Sequence, residues 1–559
     1  MSQPDISPDV VLDPSDPAAR PAQMFPRLDP EMCGRVRSYG EEERMPAGTV
    51  LFERGHRGVD FFFIVEGEVE VFEPDEREGP RLVATLGARQ FTGELDQVNQ
   101  RRNLVSAHAT QDSVVVRLRR ADFQRLATGE PDIGEIILRA FILRRVGLIK
   151  LGLGGVVLIG PGYAADTLRL QRFLVRNGYP HRVLDTAVDP DAEALLACFA
   201  LERDQLPVVI TPDEIVYRNP SVAQLADDLG LTETIDPDHV HDVAVVGAGP
   251  AGLAAAVYAA SEGLDTIVIE SEAPGGQAGT SSKIENYLGF PTGVSGQALA
   301  GRAYVQAQKF GARLAVSRSV EELDCAEQPY RLTLAGGRRV AARAVVIATG
   351  ARYRKLDVAN YDRFEGQGIH YAATAMEAHL CAGEEVAVVG GGNSAGQAAV
   401  FLSRTVAHVH ILVRGAGLTA TMSDYLVQRI ASSPRITLHP YTEITSLDGD
   451  DVLTGVGWTD RRTGATETRP IRNVFVMIGA APNTGWLDGC LELDRQGFVR
   501  TGRACEATGL VHSPYETSRP GIYAVGDVRS GSVKRVASGV GEGAIVVSAI
   551  HGYLHPVEG

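Results

Sequence analysis

The chain has 559 residues, 44% hydrophobic and 22% charged, with a formal net charge of −16. That length allows roughly three to five domains of about 100–200 residues, and the acidic balance argues against nucleic acid or an anionic membrane as a partner, since both need basic patches. No run approaches the ~20 apolar residues of a membrane span, the acidic start has no secretory apolar core, and the six cysteines fit neither a disulfide framework nor a zinc pattern. The expectation is a cytoplasmic protein with indifferent free thiols and no metal.

Residues 1–25 are rich in Pro and Asp and predict a disordered tail. Over 48–72 short apolar runs are broken by glycine, the alternation in 66–72 predicts a strand, and Gly55 and Gly67 mark turns. This β-rich unit continues to about Arg119, and a helix over 132–150 leads out of it. A small α/β unit follows. Residues 156–159 form a buried strand, 166–177 a helix closed by Gly178, and 208–210 a short strand behind Pro207. After a linker at 236–239, a strand over 243–246 opens the largest module. A second strand–glycine–helix signal spans 386–399, and a strand and long helix occupy 521–553.

Gly247-Ala-Gly249-Pro250-Ala251-Gly252 follows a buried strand and opens an Ala-rich helix, and Glu270 ends the next strand. Glycine permits the tight turn and close backbone approach, the helix N-terminus offers N–H groups and partial positive charge to a pyrophosphate, and Glu270 suits ribose hydroxyls. Gly390-Gly-Gly392-Asn393-Ser394-Ala395 repeats the pattern, but its second strand ends in Arg414 rather than an acid. An arginine there favours a 2′-phosphate, so this site leans towards NADPH, with NADH as the weaker donor.

From about Asp242 onward the chain resembles the low-molecular-weight thioredoxin reductase family. Pro274-Gly-Gly276-Gln277 with Asn286 resembles the family's flavin-contacting segment. Ala348-Thr349-Gly350 resembles the crossover into the inserted NADPH domain. Gly526-Asp527 resembles the late flavin motif, with Asp527 on the ribityl chain, and Arg535-Val536-Ala537 resembles the segment closing over the isoalloxazine ring. The resemblance implies two dinucleotide-binding domains, FAD and a homodimer. The family's Cys-x-x-Cys is missing: its cysteines align with Ala372 and Ala375, and the acid after them with Met376. Alanine can neither attack a disulfide nor form a thiolate beside a flavin. Cys381, a lone thiol nearby, reads as packing. No catalytic residue is assigned.

The front β-rich unit resembles cyclic-nucleotide-binding domains, with Phe91-Thr-Gly93-Glu94-Leu95 and Arg102 as its phosphate cassette. The resemblance places Glu94 on the ribose and Arg102 on the cyclic phosphate. Arg101 is the alternative phosphate ligand, and Asn103-Leu104 replaces the family's small pair. The small α/β unit resembles thioredoxin or glutaredoxin folds, with Gly160 to Tyr163 where a redox pair would sit and Pro207 at the cis-proline position; it has no redox cysteine.

The expected multidomain order is therefore a tail (1–25), a cyclic-nucleotide-binding-like β-roll (26–150), a thioredoxin-like α/β domain (151–235), a FAD domain (236–352 and 476–559) and an inserted NAD(P)H domain (353–475). The expected activity is hydride transfer from NAD(P)H through FAD to an unidentified acceptor, with a cyclic nucleotide as regulator. Two alternatives stand beside it: a disulfide reductase borrowing thiols from another chain, and a non-enzymatic flavin or nucleotide sensor.

Overall fold

The computed structural model describes residues 21–74, 79–93, 102–151, 155–199, 201–281, 284, 286–365, 368–371, 373–450, 452–487, 489–505 and 513–555. The chain forms two compact units, one of Met1–Gly160, Asn177–Glu233 and Gln308–Phe310, the other of Pro161–Arg176, Thr234–Ala307 and Gly311–Gly559.

In the first unit short apolar runs separated by glycine become seven strands: β1 (Glu41–Met45), β2 (Val50–Phe52), β3 (Phe61–Glu66), β4 (Glu68–Glu73), β5 (Arg81–Gly87), β6 (Ser106–Ala109) and β7 (Ser113–Leu118). They make two antiparallel sheets, in the orders β1-β7-β3 and β2-β6-β4-β5. The β3–β4 turn needs glycine. Gly67 has φ of +95°, and a Cβ there would stand 2.6 Å from the Ser113 Cα. The core is aromatic: Phe61, Phe91, Phe123 and Phe141 are fully buried, with ring centroids 5.1–6.4 Å apart. Each contributes about 1.5–3 kcal/mol by leaving water. Phe141 comes from α1 (Pro131–Leu151), close to the predicted helix. A third sheet of β8 (Val156–Gly160), β9 (His181–Asp185), β10 (Val208–Ile210) and β11 (Val216–Arg218) has the order β11-β10-β8-β9. Only β8 and β9 are parallel. The Leu206–Pro207 peptide is cis.

The second unit contains α2 (Ala165–Arg176), a mixed sheet whose core strands are parallel, and a second, all-parallel sheet. Strands β12 (Val240–Val246), β13 (Thr266–Glu270), β14 (Arg313–Val316), β15 (Val320–Asp324), β16 (Tyr330–Leu334) and β17 (Arg339–Ile347) run in the order β14-β13-β12-β17-β16-β15. β12, β13, β14 and β17 are mutually parallel, and α3 (Pro250–Ser261) crosses from β12 to β13. Continuous Val/Ile/Ala runs suit strands covered on both faces. The chain leaves along β18 (Ala351–Tyr353). It then builds a five-stranded sheet from β19 (Ile369–His370), β20 (Glu385–Val389), β21 (His408–Leu412), β22 (Ile436–His439) and β26 (Asn473–Val476), all parallel in the order β19-β26-β20-β21-β22. An antiparallel sheet of β23 (Thr442–Asp448), β24 (Gly455–Asp460) and β25 (Thr466–Arg469) sits within this excursion. The chain returns along β27 (Ala480–Pro482), which pairs antiparallel with β18, and β28 (Ile522–Ala524) rejoins the first sheet beside β17.

One expectation needs correction. Cys325, just past β15, is joined to Cys490 by a disulfide, with their Cα atoms 6.1 Å apart. The two lie 165 residues apart in no spacing motif, so only the sheet's return brings them together. Cys33, Cys381 and Cys505 are free.

Candidate flavin and nucleotide sites

The first glycine fingerprint closes tightly on protein on one side and opens on the other. Gly247 has φ of +104°, and a Cβ there would lie 2.4 Å from the Ala348 carbonyl oxygen. At Gly252 the added atom would lie 1.9 Å from the Gly247 oxygen. Gly249, the N-cap of α3, differs: no protein atom lies within 4 Å of its Cβ position. Pro250 follows at the first helical position, and Ala251 and Gly252 are buried. The free amides of the first turn thus face open space that backbone can share with a pyrophosphate. Glu270 ends β13 beside this loop. It is buried, and its carboxylate accepts the Ala248 amide at 2.7 Å and the Glu272 amide at 2.9 Å. Burial pushes its carboxyl above the usual range while these amides pull it back.

The remaining flavin candidates converge on the same loop. The Gly275 amide donates to the Ala248 oxygen at 2.7 Å, and Gly276, with φ of +53°, brings its Cβ position 3.1 Å from the Gly249 Cα. Gln277 Nε2 donates to the Ala351 oxygen. The Ala348 amide donates to the Val246 oxygen at 2.8 Å, the Thr349 hydroxyl to the Asn483 oxygen at 2.9 Å, and Gly350 takes φ of +61°. A Cβ on Gly526 would come 2.8 Å from that of Ala251, which sets Asp527 beside the start of α3. Burial pushes the Asp527 carboxyl up, against the pull of Lys534. Arg535 is the N-cap of α6 (Val536–Leu554), so Val536 and Ala537 lie in its first turn. Asn286 is exposed.

Glu542 is a residue sequence reasoning missed. From α6 its carboxylate accepts the Gly526 amide at 2.7 Å and pairs with Arg529 at 2.6 Å, pinning the Gly526–Asp527 turn. The available signal was a lone carboxylate in an apolar, glycine-rich helix. α6 packs on α3 so closely that a Cβ on Gly543 would stand 2.1 Å from the Ala251 oxygen.

The second fingerprint repeats this construction. Gly390 has φ of +139°, with its Cβ position 2.3 Å from the Met477 oxygen, whereas Gly392 has nothing within 4 Å. Gly392 is the N-cap of α5 (Asn393–Leu402). Asn393 Oδ1 accepts the Ser423 amide at 2.7 Å, Ser394 is exposed and Ala395 is buried. Arg414 stands exposed just past β21. Both fingerprints present the open backbone that a dinucleotide needs, and both fit one.

At the position expected for the dithiol, Ala372 and the Met376 side chain lie outside what is described. Ala375 opens the short helix α4 (Ala375–Leu380) and is exposed. Polar groups gather here. Thr374 donates its amide at 3.0 Å and its hydroxyl to buried Glu377. Arg172 Nε lies 3.9 Å from Glu377, its Nη2 3.3 Å from His370 Nδ1, and His370 Nε2 lies 2.8 Å from Asn473 Oδ1. Burial depresses the His370 imidazole, keeping it neutral. The Tyr371 ring stacks on Tyr353 at 5.2 Å. Cys381 is fully enclosed in the apolar core with Val386 and Val388, and burial pushes its thiol far up, helped by Glu384 and Glu377. A thiol held protonated in a core is no nucleophile.

In the first unit, Glu94 and Arg101 lie outside the described residues. Gly93 has φ of +99°. Arg102 is already engaged. Nη1 meets Asp213 Oδ2 at 2.6 Å, Nε donates to the Asp228 oxygen at 2.7 Å, and Nη2 lies 3.3 Å from Asp228 Oδ1. The expected phosphate reader thus holds two carboxylates in this conformation. Asn103 is buried. A cluster not anticipated from sequence, His239, His241 and Asp265, brings its ligand-type atoms within 4.8 Å of one another. Arg313 also lies 3.8 Å from the Asp265 carboxylate, so ion pairing accounts for the arrangement. Among the described residues no helix is long and apolar enough to cross a membrane.

Residues 241–543 match the pyridine nucleotide-disulphide oxidoreductase family, and residues 42–129 match the cyclic nucleotide-binding domain. Thioredoxin reductase from Mycolicibacterium smegmatis is 34% identical over 307 residues, covering 54% of this chain and 93% of that protein. NADH dehydrogenase from Ferdinandcohnia aciditolerans is 32% identical over 336 residues, 60% of this chain and 61% of its own length. The crystal structure of Lactococcus lactis thioredoxin reductase superposes with a TM-score of 0.52 at 25% identity, covering 57% of this chain and all of that one. With its two open glycine fingerprints and a match over more than half its length, the chain belongs to the pyridine nucleotide-disulphide oxidoreductase family, as an oxidoreductase using FAD and NAD(P)H behind a cyclic nucleotide-binding domain.

Proposed function

We propose that this protein oxidises NAD(P)H through FAD and delivers the electrons to an acceptor other than a dithiol of its own. The observation that carries the reading is the aligned dithiol position itself: alanine stands at 375, and the nearby thiol, Cys381, is sealed in a core and held protonated. Bound FAD supplies hydride acceptance from the nicotinamide; the protein orients the two nucleotides and excludes side reactions. The loop at 247–252, Glu270 and the Gly526–Asp527 turn hold the flavin nucleotide. The loop at 390–395 holds the nicotinamide nucleotide, with Arg414 favouring NADPH over NADH. Relatives named thioredoxin reductase and NADH dehydrogenase match at nearly equal identity, which supports a module compatible with more than one acceptor.

The front β-roll is the regulatory domain in this reading. A cyclic nucleotide engaging Arg102 has to displace Asp213 and Asp228 from it. The α/β segment behind it, 151–235, serves as a thioredoxin-like domain without redox chemistry, and the functional form is a cytoplasmic homodimer. Steady-state NADPH and NADH oxidation against quinones, ferricyanide and thioredoxin with a disulfide dye separates the readings. Turnover with quinone or ferricyanide and none with thioredoxin is expected. Thioredoxin reduction abolished by alkylating cysteines contradicts the proposal.

A further inference from the structure

We infer that α2 braces the two fingerprint-bearing sheets against each other, with Arg172 and Arg176 as positioning residues for hydride transfer; the inference rests on the reading of NAD(P)H oxidation through FAD. The chain passes from the first of these sheets to the second along β18 and returns along β27, and the two strands pair over three residues, from Ala351 opposite Pro482 to Tyr353 opposite Ala480. An isolated two-stranded ribbon is marginally stable at best, and short segments of this kind act as hinges. By itself such a ribbon does not fix the angle between the sheets it joins.

α2 supplies the missing constraint. It precedes residues 241–543, the span that matches the oxidoreductase family, yet it belongs to the second unit together with both fingerprints. Leu170, Phe173 and Leu174 are buried on it, and Arg172 and Arg176, four residues apart, are neighbours on one face. Arg172 holds the second-fingerprint side. Its Nη2 donates to His370 Nδ1 at 3.3 Å, and its Nε lies 3.9 Å from buried Glu377. Arginine only donates, so His370 carries its proton on Nε2. The hold then runs into the sheet: His370 Nε2 donates to Asn473 Oδ1 at 2.8 Å, and Asn473 Nδ2 to Glu384 Oε2 at 3.1 Å. Arg176 holds the first-fingerprint side. Its Nη1 pairs with Glu272, and its Nη2 donates to the Gly276 oxygen at 3.3 Å. Gln297 Nε2 adds a donation to the Val175 oxygen at 2.6 Å. Both arms land beside the candidate flavin site: the Cβ position of Gly276 is 3.1 Å from the Gly249 Cα, and Glu377 follows the position expected for the dithiol. Hydride transfer needs reacting atoms about 3–3.5 Å apart, and a misplacement of about 1 Å can cost 100-fold, so holding the angle of this hinge holds the rate.

Stopped-flow reduction of the FAD-loaded full chain by saturating NADPH tests the inference on Arg172→Ala, Arg176→Ala and the double variant. A brace fails when either end is released. Each single variant is therefore expected to slow flavin reduction by about ten-fold or more, and the double variant no further than either single, with NADPH affinity and FAD content unchanged. Independent structural losses would instead multiply in the double variant. Arg172→Gln and Arg176→Gln stand in for any alanine variant that does not fold. Hydrogen exchange of the β18 and β27 amides reads the brace without a donor, and should quicken by about ten-fold or more in each variant. Unchanged or faster flavin reduction, losses that multiply, a loss confined to NADPH affinity, or unchanged exchange each overturns the inference. A wild-type flavin that NADPH does not reduce, with exchange quickened in the variants, would refute NAD(P)H oxidation and uphold the brace.

Discussion

Two glycines three residues apart in the first fingerprint should fail in opposite ways. At Gly252 an alanine Cβ would lie 1.9 Å from the Gly247 oxygen, against an ordinary contact of 3.4 Å, so the helix or the loop must shift by about 1.5 Å. That oxygen belongs to a turn already fixed by the Gly247 approach to Ala348, and overpacking of this kind costs about 1–3 kcal/mol, here at the upper end. At 1.36 kcal/mol per decade, 3 kcal/mol is roughly a 150-fold loss, shared between folding and FAD affinity. Gly249→Trp faces no protein atom within 4 Å of its Cβ and has an ordinary φ of −70°. It should fold with an unchanged apoprotein melting temperature and yet emerge colourless, because its indole occupies the pyrophosphate path. The assay is flavin absorbance per protein after purification, with thermal melts of the FAD-stripped proteins. A fully yellow Gly249→Trp would place the flavin elsewhere, and an unperturbed Gly252→Ala would show that the loop is looser than its contacts imply.

Three further outcomes follow from named contacts. Arg414→Ala should weaken NADPH use by about ten-fold or more and spare NADH, since a charge-assisted contact to a 2′-phosphate is worth roughly 1.5–3 kcal/mol; equal losses in kcat/KM would make Arg414 structural. Burial holds His370 below its ordinary pKa, so the unfolded chain takes up the proton first and stability falls as pH drops below about 6.5. Melts between pH 7.5 and 5 should therefore fall less steeply for His370→Gln than for wild type, and parallel curves would contradict this. Asp213→Asn combined with Asp228→Asn should release Arg102 and tighten cyclic AMP binding by about ten-fold, as judged by calorimetry; an unchanged affinity would mean the pairing does not compete with ligand.

Both fingerprints were legible in sequence because Gly247, Gly252 and Gly390 answer a steric demand that no other residue meets, and the strand before and helix after each fingerprint supply the context. The β-roll was legible through period-two alternation and its glycine turns. What stayed hidden depends on long-range return of the chain. Glu542 reaches back 16 residues from α6 to Gly526, Arg102 finds Asp213 and Asp228 more than a hundred residues away, and Cys325 meets Cys490 across 165 residues. Glu377 and His370 were likewise invisible, because a buried polar cluster has no periodic signature, only partners. That the sequence holds no Cys-x-x-Cys pair needs only the positions of its six cysteines.

Anaerobic titration of the flavin with NADPH, followed by its visible absorbance, counts the electrons the protein stores. Flavin alone accepts one hydride, so bleaching should be complete at about one equivalent of NADPH per FAD, in wild type and in Cys381→Ala alike. An endpoint near two equivalents that falls to one after the cysteines have been reduced and then alkylated would reveal a working dithiol, and a flavin that neither NADPH nor NADH bleaches would remove the nicotinamide donor; either result contradicts hydride flow through FAD to an acceptor outside the chain.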